Sequence, residues 1–269
     1  MKLTYKKIGE GHPLLILHGL YGASDNWLTI AKELSENFEV YIIDQRNHGN
    51  SPHADSHTYQ DLKEDLLEFM DDHKIEKAIL LGHSMGGKTV MFFAADYPER
   101  VSSLLVVDIA PKNYSKISDY APQTIDHSCI VKAMLNLDLS VYKNRTEIDK
   151  KLSESITSKR VRQFLLKNLK RDENKQFIWK LNIKTISEYL PQIMDGIEGD
   201  RFENGKGITT FPVLFIRGEK SNYISDNDHN LIRTIFPKAE ITTIPNAGHW
   251  VHAEQASLLV KTVEYFVLD

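Results

Sequence analysis

Residues 78–95 read AILLGHSMGGKTVMFFAA, and this stretch decides the fold. Its first four residues are apolar, as in a short buried strand, and the residues after GHSMG form a helix-like apolar run. A serine at a tight strand-to-helix turn is typical of a nucleophile elbow, whose glycines avoid the clashes that a Cβ would cause. The stretch therefore predicts a parallel α/β sheet with Ser84 as nucleophile; the alternative is a glycine-rich turn with an unreactive serine.

The rest of the chain alternates between strand-like and helix-like segments. Apolar, β-rich runs lie at residues 14–17, 40–43, 78–81, 104–107, 213–216 and 241–244. Residues 58–73 carry an apolar stripe at helical spacing, and Thr58 with Asp61 resembles a capping box at the start of that helix. This alternation predicts an α/β fold: a mostly parallel twisted sheet with helices on both faces.

About a hundred residues separate the runs at 104–107 and 213–216, although a crossover needs only about a dozen. Helical spacing recurs in this segment at Ile130, Met134 and Leu137, at Ile148, Leu152 and Ile156, and at Val161, Leu165 and Leu169. We therefore predict a core domain of residues 1–111 and 207–269, with a helical cap of residues 112–206 inserted between two core strands.

Composition excludes several classes of protein. The formal net charge of −4 argues against a nucleic-acid partner, and the single cysteine, Cys129, can form no intramolecular disulfide. The apolar runs are shorter than the roughly 20 residues of a membrane span, and residues 1–11 lack the apolar run of a signal peptide. We expect a protein of a reducing compartment without a membrane span or a cysteine metal site; a homodimer is one alternative for its oligomeric state.

Residues 143–180 form a basic stretch, with twelve Lys and Arg against five Asp and Glu. A solvated helix face is the simpler interpretation. The alternative is electrostatic attraction of an anionic substrate, such as an acyl group carried on coenzyme A.

A serine hydroxyl becomes nucleophilic when a neighbouring base takes its proton. His249 is the best candidate, because residues 246–249 (NAGH) follow the last strand-like run and precede a helical segment. That places His249 at the carboxyl edge of the sheet, together with Ser84. His252 is the rival, which we interpret as a spare surface histidine. A metal site at these two histidines lacks a third ligand.

A carboxylate should orient the histidine. In sheets of this kind it usually follows the strand predicted at 213–216, but Ser221 stands where an aspartate is common. Asp108 ends the run at 104–107, which should lie about 4.8 Å from the strand bearing Ser84. We therefore predict Asp108 as the acid, with Asp226 and Asp228 as alternatives; a helix cap or turn is the other interpretation of Asp108.

Two backbone amides should stabilise the oxyanion of the reaction. We predict those of Met85 and of Leu20, which belongs to the loop at residues 18–22 (HGLYG). Each such donor typically stabilises a transition state by about 3 kcal/mol. We interpret His18 as structural, bonding to its own loop, and the cluster at residues 44–51 (DQRNHGNS) as bracing a turn.

With these residues placed, the chain resembles the α/β-hydrolase superfamily and, more narrowly, the YbfF-type esterases. The narrower resemblance rests on residues 44–51, on residues 82–88 (GHSMGGK) and on residues 108–111 (DIAP). It implies a cytoplasmic, cofactor-free esterase with a small helical cap, which acts on acyl esters and acyl-coenzyme A. It also implies that the acid comes from the strand that carries Asp108.

We therefore predict a serine hydrolase, a carboxylesterase or thioesterase, that works through a Ser84–His249–Asp108 triad and an acyl-enzyme. Its partner would be a small-molecule acyl ester or thioester. One alternative is a carbon–carbon hydrolase or lyase that uses the same triad. A second is a ligand-binding protein that kept the fold without catalysis.

Overall fold

A computed structural model describes residues 1–115, 126–202 and 205–268. The predicted cap, residues 112–206, includes residues 116–125 and 203–204, which lie outside the described residues. No helix within the described ranges has the length and apolar character that a membrane crossing requires.

The strands confirm the predicted fold class. They are β1 (Tyr5–Ile8), β2 (His12–Leu17), β3 (Phe38–Ile43), β4 (Ala78–His83), β5 (Val101–Val107), β6 (Leu169–Arg171), β7 (Phe177–Trp179), β8 (Val213–Gly218) and β9 (Glu240–Ile244). Seven of them form one sheet in the order β1-β3-β2-β4-β5-β8-β9, parallel except for the pairing of β1 with β3. All six predicted strands are present; β1 was not predicted, because an edge strand without a buried residue lacks an apolar run.

Helices cover both faces of the sheet, as predicted. The helices in the described ranges are α1 (Leu28–Leu34), α2 (Tyr59–Asp72), α3 (Met85–Asp96), α4 (His127–Leu135), α5 (Arg145–Leu152), α6 (Lys159–Leu166), α7 (Ile183–Glu188), α8 (Leu190–Met194), α9 (His229–Ile235), α10 (Val251–Glu254) and α11 (Ala256–Leu268). One apolar core contains residues of α2, α3 and α9, and a second contains residues of α1 and α11. The predicted capping box is present, since Thr58 and Asp61 each accept a hydrogen bond from the other's backbone N–H.

The chain between β5 and β8 adds no strand to the main sheet in its described part. Residues 126–202, here called the insertion, contain α4 to α8 and the antiparallel pair β6–β7. Their apolar core also includes Leu20 and Met85, so the insertion packs over the carboxyl edge of the sheet. Leu169 does not continue a helix as its spacing suggested, because α6 ends at Leu166 and Leu169 pairs with Trp179. The domain bounds 1–111, 112–206 and 207–269 stay a prediction.

Candidate active site

Ser84 lies in a strained turn between β4 and α3. Its φ of 53° is one that residues other than glycine rarely adopt. The turn also needs its glycines: a Cβ on Gly82 would lie 2.2 Å from the carbonyl oxygen of Gly86, and one on Gly86 would lie 2.3 Å from that of Leu17. Backbone would have to move at either position. The predicted elbow geometry is therefore present, and Ser84 lies at the positive end of the α3 dipole.

His249 lies in the loop between β9 and α10, where it meets both Asp108 and the cavity beside Ser84. Its Nδ1 is 2.8 Å from Oδ2 of Asp108, and Ser84 and His249 line the same cavity. With Nδ1–H donating to the carboxylate, Nε2 is the nitrogen that can take a proton. Among the hydrogen bonds of the described residues, none joins the Ser84 hydroxyl to this ring; such bonds are often long or poorly aligned before substrate binds.

Asp108 is fully buried at the end of β5, and three donors surround its carboxylate. Oδ1 accepts from the backbone N–H of Gly218 at 2.9 Å, and Oδ2 accepts from the Ser221 hydroxyl and from His249. A buried carboxylate is stable only when it is paired and hydrogen-bonded, and these contacts meet that requirement. Ser221, at the position where an aspartate is common, is thus a donor to the acid.

The alternative acids, Asp226 and Asp228, contact residues other than His249. The side chain of Asp226 is 81% exposed and pairs with Arg217 at 2.7 Å. Asp228 binds Lys112 at 2.8 Å and accepts from the Ser225 hydroxyl at the same distance. Of the three predicted acids, the structure brings only Asp108 to the histidine.

The loop at residues 18–22 lies against the elbow. A Cβ on Gly19 would lie 3.0 Å from Cβ of Ser84. Within the part of the chain that the structure describes, the backbone N–H groups of Leu20 and Met85 make no hydrogen bond. Two unpaired amides therefore flank Ser84, as an oxyanion site requires. His18 bonds to its own loop as predicted, with Nδ1 2.9 Å from the carbonyl oxygen of Gly19.

The segment at residues 44–51 braces the loop at residues 18–22, since Nε2 of Gln45 donates to the carbonyl oxygen of His18 at 2.7 Å. The carboxylate of Asp44 accepts from the backbone N–H groups of Ser24 at 2.6 Å and Asn50 at 2.9 Å. Arg46 pairs with Asp65 of α2, at 2.8 Å between Nη2 and Oδ1. The structural interpretation of this segment is confirmed, but the arginine bridges the segment to α2.

The prediction that His252 is a surface residue is wrong. It is 7% exposed and its ring stacks on Trp27, with 4.6 Å between ring centroids. The reason is that α10 begins directly after Trp250 and buries its first two residues, Val251 and His252. His252 therefore lines the cavity beside His249, which sequence spacing alone did not indicate.

Three further residues at the site were missed. His83, inside the elbow motif, donates Nε2–H to the carbonyl oxygen of His249 at 2.8 Å and so holds that loop in place. The ring of Tyr223 stacks on His249 with 3.8 Å between centroids, and its hydroxyl lies 3.5 Å from Nε2 of His127. The position of His83 next to Ser84 was a usable signal. No local motif marks Tyr223 or His127, because distant segments bring them to the site.

Buried and half-buried histidines line the cavity or contact the loop and elbow beside it. Burial lowers the pKa of each of His18, His48, His57, His83, His127 and His252, to about 4 for His127 and to about 3 for His57 and His252. A desolvated imidazolium is unfavourable, so these rings are neutral at pH 7. Each neutral ring offers both a donor and an acceptor, as His18 does between Gly19 and Gln45.

Residues 12–256 match the family described as alpha/beta hydrolase fold. The chain belongs to that family. It is 35% identical over 272 residues to the "sn-1-specific diacylglycerol lipase ABHD11" of Danio rerio, covering 99% of this chain and 83% of the relative. It is 30% identical over 257 residues to "Esterase YbfF" of Escherichia coli, covering 96% and 93%.

Among solved structures, the "Marine microorganism esterase" is 45% identical, with a TM-score of 0.91 and coverage of 99% of both chains. The predicted resemblance to YbfF-type esterases is confirmed. The family is thus one of hydrolases, and these relatives carry the names of esterases and lipases.

We expect the free energy of unfolding to fall as the pH falls from about 6.5 toward 4. Unfolded histidines take up protons below their ordinary pKa of about 6.5, whereas the buried ones stay neutral until their lowered folded pKa is reached. Each buried histidine then costs about 1.4 kcal/mol per pH unit. Urea denaturation at pH 7.5, 6.5, 5.5 and 4.5 measures how the free energy of unfolding changes with pH. In His252→Phe this change should be smaller by the contribution of one histidine, about 1.4 kcal/mol per pH unit. A stability independent of pH over this range would contradict the burial of these rings.

Proposed function

We propose that this protein is a serine hydrolase that cleaves carboxylic esters, with Ser84 as nucleophile, His249 as base and Asp108 as acid. The observation that carries the proposal is the 2.8 Å contact between His249 Nδ1 and the fully buried carboxylate of Asp108, beside a cavity that Ser84 also lines. The esterase and lipase names of the relatives support the reaction class.

In the proposed first step, Nε2 of His249 takes the proton of the Ser84 hydroxyl as its oxygen attacks the acyl carbon. Asp108 keeps the proton on Nδ1 and stabilises the imidazolium that forms. The backbone N–H groups of Leu20 and Met85 would donate to the oxyanion, each lowering the barrier by about 3 kcal/mol.

Collapse of this intermediate breaks the bond to the alcohol, which leaves with the proton from Nε2 of His249. The acyl group remains on Ser84 as an ester. A water molecule then gives a proton to the same nitrogen as its oxygen attacks the acyl carbon. Collapse of this second intermediate breaks the bond to Oγ of Ser84, which takes the proton back from Nε2, and the carboxylic acid is released.

The basic stretch at residues 143–180 suggests which leaving groups the site accepts. Arg145, Lys167 and Lys180 line a cleft, and Asn26 lines both this cleft and the cavity of Ser84. Among the described residues, both carboxylates that line the cleft are already paired, Asp149 with Arg162 and Asp25 with Lys6. A positive field beside the reacting serine attracts anions, so we propose that acyl-coenzyme A thioesters are accepted in addition to oxygen esters.

Ser84→Ala should retain less than about a thousandth of the wild-type rate, since removal of a triad member costs at least that much in related chemistry. Hydrolysis of p-nitrophenyl butanoate measures the rate. Ser257→Ala, on the exposed face of α11, is the matched control and should keep full activity. Near-normal turnover by Ser84→Ala would end the proposal. A wild-type protein with only feeble ester hydrolysis would favour the carbon–carbon hydrolase.

Asp108→Asn should lower kcat by about four orders of magnitude, because an amide favours the wrong tautomer of the neighbouring imidazole. The control is Asp226→Asn, which changes an exposed carboxylate of the same type and should leave kcat intact. If Asp226→Asn or Asp228→Asn lost more activity than Asp108→Asn, the acid would be misassigned.

Raising the NaCl concentration from 0.05 to 0.5 M, about a threefold shortening of the Debye length, should weaken binding of an acyl-coenzyme A thioester through screening. The KM for a neutral p-nitrophenyl ester should not change. Lys167→Gln should raise the thioester KM several-fold, whereas Lys261→Gln, at an exposed position of α11, should not. Equal salt effects on both substrates would refute the electrostatic role of the cleft.

A further inference from the structure

Three residues that line the active-site cavity carry a buried polar atom without a hydrogen-bond partner among residues 1–115, 126–202 and 205–268: the Tyr21 hydroxyl, Nδ1 of His127 and Nδ1 of His252. The ring of His252 stacks on Trp27, whereas Tyr21, only 3% exposed, and His127 lie side by side. Both residues line the cavity that contains Ser84 and His249. Buried polar side-chain atoms nearly always have a partner, so two unpaired atoms in one cavity indicate a ligand that supplies the missing contacts.

These atoms lie close to the reacting groups. The rings of Tyr21 and His127 are 5.7 Å apart between centroids. Nε2 of His127 lies 3.5 Å from the hydroxyl of Tyr223, whose ring stacks on His249. A continuous set of ring contacts therefore runs from the base to Tyr21. Ser84, Tyr21 and His127 all line the cavity that a substrate ester would enter.

The position of Tyr21 is fixed by its backbone. Its N–H donates to Nε2 of His48 at 3.2 Å, and its carbonyl oxygen accepts from Nδ2 of Asn168 at 2.7 Å. Its φ is 61°, in the left-handed region that only a constrained tyrosine adopts. A side chain anchored in this way loses little conformational entropy when it binds a ligand, so the site is preorganised.

Apart from His127, the residues that the insertion contributes to this cavity are apolar. They are Ile130, Val161 and Phe164. A small number of polar groups within an apolar pocket is the usual arrangement for orienting a small molecule. Beside these apolar residues, the Tyr21 hydroxyl and Nδ1 of His127 are therefore groups that could select a polar feature of the substrate.

The charge states of Tyr21 and His127 decide whether they suit a charged or a neutral group of a ligand. Burial raises the pKa of the Tyr21 hydroxyl, and it lowers the pKa of His127 to about 4. Both side chains are consequently neutral at pH 7. Neutral groups in an apolar wall suit a neutral oxygen, since a bare carboxylate would lose its hydration without gaining an opposite charge.

We propose that Tyr21 and His127 form a polar subsite that binds a neutral hydroxyl or carbonyl oxygen of the substrate, separate from the scissile ester. This inference rests on the proposed esterase function and narrows its substrate class. Esters with a second oxygen group near the scissile bond are preferred over alkyl esters of the same shape. A site built to hydrogen-bond a hydroxyl discriminates strongly against an analogue without it, because its own polar groups stay unpaired.

Two matched substrate pairs test the subsite. On the acyl side, the enantiomers of p-nitrophenyl 3-hydroxybutanoate are compared with p-nitrophenyl 3-methylbutanoate. On the alcohol side, 2-hydroxyethyl butanoate is compared with propyl butanoate. The wild type should show a kcat/KM about tenfold or more higher for the hydroxylated member of at least one pair. The pair that shows the preference identifies the side of the ester that the subsite holds.

Tyr21→Phe removes only the hydroxyl. It should bring the ratio of kcat/KM for the hydroxylated ester to kcat/KM for its matched alkyl ester close to one, and His127→Phe, in the insertion, should do the same. Because a ratio is compared, a lower amount of folded variant does not affect the result. Tyr265→Phe is the matched control, since that side chain belongs to a residue that is 75% exposed, and it should keep the wild-type ratio.

Equal kcat/KM values within both pairs for the wild type, or an unchanged ratio in Tyr21→Phe and His127→Phe, would overturn the subsite. Those results would leave the esterase proposal intact, because both members of each pair would still be hydrolysed. Failure of the esterase proposal looks different: the wild type would hydrolyse neither member of either pair and would release no burst of p-nitrophenol. That result would overturn both proposals.

Discussion

The site depends on the buried hydrogen bond between Asp108 and His249. It joins the end of β5 to the loop after β9, although β8 lies between these strands in the sheet. The bond is possible because β8 ends in a glycine: a Cβ on Gly218 would lie 2.3 Å from the carbonyl oxygen of Gly248, in the loop that carries the histidine. Ser221 and the N–H of Gly218 complete the shell of Asp108. The sheet edge thus holds the acid in one orientation, and the acid holds the imidazole.

The core and the insertion contribute different groups of residues to the cavity. The elbow, the acid, the histidine loop and the loop at residues 18–22 all come from the carboxyl edge of the main sheet. The insertion contributes apolar wall and His127. In the proposed mechanism, the reaction chemistry would therefore rest on the parallel sheet. Substrate choice would depend on packed helices, whose sequence can vary without moving Ser84, His249 and Asp108. Neutral histidines come from both the core and the insertion. Because burial keeps these rings uncharged, protonating them at low pH should destabilise the folded site.

Much of this arrangement was predictable because its signals are local. The elbow motif marks Ser84, the position after the last strand marks His249, and a serine at 221 directs attention to Asp108 at the neighbouring strand end. Contacts between distant segments were not predictable. His252 is buried by Trp27, and Arg46 pairs with Asp65. Tyr223 and His127 reach the site only when the insertion and the loop after β8 are folded, so no local sequence pattern predicts them.

Covalent labelling with a fluorophosphonate shows whether Ser84 is activated, because the reagent reacts with a serine only when a neighbouring base activates it. We expect one adduct per chain, on the peptide that contains Ser84, and no adduct in His249→Gln, with both proteins folded by circular dichroism. A folded wild-type protein that remains unlabelled, or that carries its label on another residue, would contradict the claim that the fold assembles an activated serine at this edge of the sheet.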